Sequence, residues 1–65
     1  MTVNIEGLGK ITASKEVLSE LTIVFSHEAS YFTSIGFHES FLLADTRSNV
    51  IYKALQDVGF YDDLD

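Results

Sequence analysis

The chain has no cysteine, no proline and no tryptophan, and only four of its 65 residues are Lys or Arg. Without cysteine there is no disulfide staple and no thiolate metal site. Four bases against ten acids leave a formal net charge of −6. So few cations cannot displace the counterions of a nucleic-acid backbone, so direct nucleic-acid binding is not expected. An acidic body suits a basic partner surface instead. No run approaches the ~20 apolar residues of a membrane span. Met1 to Glu6 lack the basic and apolar regions of a signal peptide, so a cytoplasmic protein without membrane association is expected. No linker or low-complexity segment interrupts the chain.

Residues 1–65 are expected to form a single small domain. A chain this short buries only roughly 60% of its unfolded surface. Yet 46% of its residues are apolar, among them five Phe and three Tyr. A thin core cannot hide all of that. A homodimer, or another protein partner, is the expected outlet.

Thr2 to Glu6 alternates, with Val3 and Ile5 on one side. Lys10 to Ala13 alternates again, with Ile11 and Ala13 in phase. Gly7-Leu8-Gly9 between them can turn the chain, so a β-hairpin is predicted over about 2–13. The same Gly-x-Gly lacks the third glycine and the directly following helix of a phosphate loop.

Ser14 has the character of an N-cap, and Glu16 suits the positive end of a helix predicted over about 15–35. Val17, Leu18, Leu21, Val24, Phe25, Tyr31, Phe32 and Ile35 share a broad stripe, with Glu28 inside it. Opposite runs a ridge of hydroxyls, Ser19, Thr22, Ser26, Ser30 and Thr33, edged by Ile23 and Ala29. It is either a solvated face or a close contact between helices. Ile35-Gly36-Phe37 has the pattern of a Schellman ending in which Phe37 packs on Phe32, and Val58-Gly59-Phe60 repeats it. A second helix is therefore predicted over about 39–58, with Ser40 as a candidate N-cap and an acidic tail over 61–65. Its stripe is Leu43, Ala44, Val50, Ile51, Ala54, Leu55 and Val58, with Arg47 near the middle.

Two helices joined by so short a turn run antiparallel. Centring the turn between Phe37 and His38 sets Phe32 against Leu43, Phe25 against Val50, Leu21 against Ala54 and Val17 against Val58. Glu28 then meets Arg47. The fold expected is α+β, a short β-hairpin packed on an antiparallel two-helix hairpin (ββαα), as a dimer. Glu28–Arg47 is expected as a buried structural ion pair, in which removing one partner strands the other charge.

His27 and His38 are the only histidines, and a structural zinc site normally has four ligands, so no metal site and no cofactor is expected. No nucleophile elbow or oxyanion-loop pattern is present, and the chain is not expected to be an enzyme. Phe41, Leu42 and Tyr52 fall off the inner stripe and, with Ile23, form a candidate partner-binding patch. Asp57, Asp62, Asp63 and Asp65 make a candidate acidic patch, with Glu16 and Glu20 near the same end. Two functions follow: a small acidic, non-enzymatic, self-associating protein-interaction module, or a phage or mobile-element inhibitor. The inhibitor would imitate DNA with its acids and occupy a host nucleic-acid-binding or defence protein.

Overall fold

The computed structural model of the chain describes residues 1–62; Asp63 and Asp65 of the acidic patch lie outside the described residues. The element order is β1 (Thr2–Ile5), β2 (Gly9–Thr12), α1 (Lys15–Ser34) and α2 (His38–Asp57), which is the ββαα arrangement. The strands pair antiparallel, with Val3 opposite Ile11 and Asn4 opposite Lys10. Period-two alternation sends Val3 and Ile5 inward, both buried. On the outer face Thr2 and Thr12 share a hydroxyl hydrogen bond of 2.7 Å. Leu8 N–H donates to the Ile5 carbonyl, closing a β-turn with Gly7 at its third position and φ +83°. That is the left-handed position of a type II turn, which glycine occupies without steric cost.

Ser14 caps α1: its hydroxyl accepts the Val17 N–H at 3.2 Å. Gly36 stops it, with φ +81°. Phe37 N–H donates to the Phe32 carbonyl at 2.9 Å and Gly36 N–H to that of Thr33, the two bonds of a Schellman motif. Phe37 stacks on Phe32 with ring centroids 6.5 Å apart. The second ending has the same bonds, Phe60 N–H to Leu55 and Gly59 N–H to Gln56.

The start of α2 differs from expectation. Phe37, not Ser40, is the N-cap residue, and no side chain caps this end. The Phe37 carbonyl accepts the Phe41 N–H, so the chain enters α2 directly from the Schellman turn. Ser40 ends up inside the helix, half-buried.

The core clusters Val3, Ile5, Leu18, Phe25, Ile51 and Leu55, with Met1, Ile11, Ala13, Leu21, Ala54, Phe60 and Tyr61 packed around it. It occupies the half of the helical hairpin away from the Gly36 turn. Geometry explains the asymmetry. Each helix has 20 residues and spans about 30 Å. Each strand has four and spans about 13 Å. The hairpin and the Phe60–Tyr61 return cover one half of the groove between the helices and leave the turn half open. No helix of the described residues is long and apolar enough to cross a membrane.

The inner stripes are also narrower than predicted. On α1 the buried residues are Leu18, Phe25 and Ala29, while Val17, Val24, Tyr31 and Ile35 are exposed. On α2 they are Ala44, Ser48, Ile51 and Leu55, while Leu43, Val50 and Val58 are exposed. Ser48 donates its hydroxyl across to the Thr22 carbonyl at 3.1 Å. The interhelical seam therefore runs along Thr22, Ala29, Ala44 and Ser48, small residues that let the backbones approach. Two hydroxyls of the ridge bond back to their own helix: Thr22 and Thr33 donate to the carbonyls of Leu18 and Ala29 one turn back.

Candidate functional site

The open half of the groove is a depression of about 180 Å³ lined by Glu28 and Phe32 from α1 and by Ser40, Leu43, Ala44 and Arg47 from α2. Its closed end is the hairpin tip. There Arg47 donates Nε–H to the Glu6 carbonyl at 2.9 Å, and its guanidinium lies 5.9 Å from the centre of the Phe25 ring. Arg47 thus ties the tip to α2 and marks the border between covered and open groove.

The antiparallel register does bring Glu28 and Arg47 to one depression, but the buried ion pair between them does not form. Among the described residues no Glu28–Arg47 contact within 4.0 Å is present, and Glu28 is exposed. The reason is the rotation of the α1 stripe: the core centres on Leu18, Phe25 and Ala29, which turns Glu28 to the rim. Arg47 meanwhile finds a nearer acceptor in the turn of the hairpin. A guanidinium carries five N–H donors, and only Nε–H is used within the described residues. Glu28 and Arg47 are two unlike charges on opposite walls of an apolar groove.

The predicted partner patch is divided between two places. Ile23 and Tyr52 are exposed, 57% and 46% respectively, and neither lines the groove. Tyr52 stacks on Tyr61, which itself packs against the core, with centroids 4.8 Å apart. Phe41 lies about 16 Å further along α2 by helical rise. It is half-buried and lines a smaller depression of about 140 Å³ with Phe32, Thr33, Gly36 and His38. Leu42 is exposed on the outer flank. The four side chains do not form one surface. Asp57 and Asp62 are both exposed, as are Glu16 and Glu20 at the same end of the antiparallel hairpin. Among the described residues no three His, Asp or Glu side chains gather in a way that could hold a metal ion.

The groove residues Phe32 and Leu43 appear in the sequence reading as a pair sealed between the helices. The missed signal was length: strands this short cannot roof helices this long. Comparison of the chain with protein-family models, with curated proteins and with solved structures finds no match.

Proposed function

We propose that this chain is a small, acidic, non-enzymatic protein-interaction module that acts in the cytoplasm and associates with itself. The observation that supports this reading is the amount of apolar surface left over. Twelve large apolar side chains of the described residues are 37–60% exposed, while four large side chains of the same residues are fully buried. Scattered exposed apolar residues are ordinary, whereas contiguous ones mark contact surfaces. Here Leu43 stands in the groove wall, and Tyr31 and Phe37 both pack on the ring of Phe32 in the facing wall.

Light scattering over a concentration series at moderate salt tests the reading. A mass above the 7.2 kDa of one chain that rises with concentration and survives added salt supports an apolar association. A fixed monomer with no affinity for any other protein contradicts it.

The second reading, an acidic inhibitor of a nucleic-acid-binding protein, draws on Asp57. This carboxylate stands in the last turn of α2, where the helix dipole disfavours negative charge. Helix stability does not account for it, and recognition of a basic surface would. Binding to a basic DNA-binding protein that is lost on adding salt and on Asp57→Asn favours this reading.

A further inference from the structure

We propose that the open half of the groove binds a small zwitterion, an α-amino acid with an apolar side chain. Arg47 takes the carboxylate of the ligand, Glu28 its ammonium group, and Phe32 and Leu43 its side chain. The inference goes beyond the interaction reading above and does not depend on self-association.

Charge selects the class of ligand. The α1 wall of the groove carries an acid, Glu28, and the α2 wall a base, Arg47. A carboxylate alone would satisfy Arg47 and meet Glu28 as a like charge, and an amine alone would do the reverse. A ligand with both groups on one carbon satisfies both walls. The guanidinium is already set in place. Its Nε–H is spent on the Glu6 carbonyl, and Nη2 stands where a Cβ on Gly7 would lie 2.6 Å away, so that edge faces the hairpin tip. The other terminal nitrogen, Nη1, donates to nothing within the described residues and can donate to a carboxylate. The Glu6 bond and the Phe25 ring hold the side chain, so little of its freedom is lost when a ligand arrives.

Size selects the side chain. The depression measures about 180 Å³. Pockets for drug-sized ligands run to roughly 300–1,000 Å³, whereas a cavity of about 150 Å³ holds a single benzene ring. The groove therefore suits one head group and one short side chain, not a nucleotide or a cofactor. Phe32 and Leu43 each stand one turn beyond Glu28 and Arg47 toward Gly36, about 6 Å by helical rise. A side chain of three or four carbons spans that distance, lying over Ala44, which is buried between the helices. The charged head group then sits at the closed end, beside the hairpin tip, and the side chain runs toward the open end. Glu28 is exposed, so its pair with the ammonium group is screened and weak. The affinity expected is millimolar, with most of the charge selectivity at Arg47.

Titration of the full chain with L-leucine, at a fixed low micromolar protein concentration and followed by heteronuclear NMR, tests the proposal. Resonances of Phe32, Leu43, Ala44 and the Arg47 side chain are expected to shift and saturate. Three analogues separate the contacts. Glycine lacks the side chain, and leucine amide lacks the carboxylate; each is expected to bind at least tenfold more weakly. N-acetyl-leucine keeps the carboxylate and loses the ammonium group, and is expected to bind about threefold more weakly, the scale of an exposed ion pair. Arg47→Gln is expected to abolish the leucine shifts. Should Arg47→Gln not fold, Glu28→Gln, at an exposed position, is expected to make leucine and N-acetyl-leucine bind alike. A spectrum that leucine leaves unchanged at tens of millimolar overturns the proposal. So does N-acetyl-leucine binding the wild type as tightly as leucine, which would make the groove a plain carboxylate site, and so do shifts centred outside the groove. None of these results bears on self-association, which the concentration series reads by itself.

Discussion

Gly7→Ala probes the joint between the β-hairpin and α2, on which the division into covered and open groove depends. Two costs arise there. An L side chain at φ +83° costs about 1–2 kcal/mol. A Cβ would also lie 2.6 Å from Arg47 Nη2, closer than atoms pack, so the guanidinium must move. Moving it weakens the Nε–H bond to Glu6, which is solvent-exposed, so its loss is taken as about 1 kcal/mol, discounted below the roughly 1.5–3 kcal/mol of a shielded charged group. Gly9 is the internal control: its φ is +81°, but a Cβ there meets nothing within 4 Å. Gly9→Ala therefore carries the backbone cost alone. Stability of a chain of this length is on the order of 3–10 kcal/mol. One kcal/mol shifts the melting temperature by roughly 4–8 °C in so small a domain. Gly7→Ala should thus melt about 4–8 °C below Gly9→Ala by circular dichroism. In an Arg47→Ala background the two glycine variants should melt together. Equal melting in the wild-type background, or a gap that persists without Arg47, refutes the placement of Arg47 against the hairpin tip.

Three further perturbations follow. Ile51 is fully buried, and Ile51→Ala should cost about 2–5 kcal/mol in denaturant titration, enough to unfold much of the population. Ser14→Ala removes the cap on Val17 N–H and should cost about 0.5–2 kcal/mol, visible as a lower melting temperature. Asp57→Lys replaces an unfavourable charge at the end of α2 with a favourable one and should raise the melting temperature, less so at high salt.

Much of the fold could be read from local chemistry. The Gly36-Phe37 and Gly59-Phe60 endings are set by contacts within one turn, and both form as their spacing implies. Ser14 caps α1 for the same reason. The orientation of each helix about its axis was not legible. The apolar residues of α1 cover an arc too wide to point to one side, and the choice among them falls to what packs on top. The hairpin and the Phe60–Tyr61 return select Leu18 and Phe25 and pass over Val17 and Val24. Ser48 shows the same limit. Its burial depends on an acceptor, the Thr22 carbonyl, carried by another helix. Of the candidate site, the register that brings Glu28 and Arg47 to one groove followed from the short turn. Their separation did not, because it depends on Arg47 reaching Glu6 in the hairpin.

The central claim is that the groove half left bare by the short strands is the contact surface, and a dilution series followed by heteronuclear NMR tests it residue by residue. Resonances of Tyr31, Phe32, Ile35, Leu43 and the Arg47 side chain should shift progressively between low micromolar and millimolar protein, while those of Ile23 and Tyr52, outside the groove lining, stay fixed. Spectra that do not change with concentration, or changes centred on Ile23 and Tyr52, would contradict it.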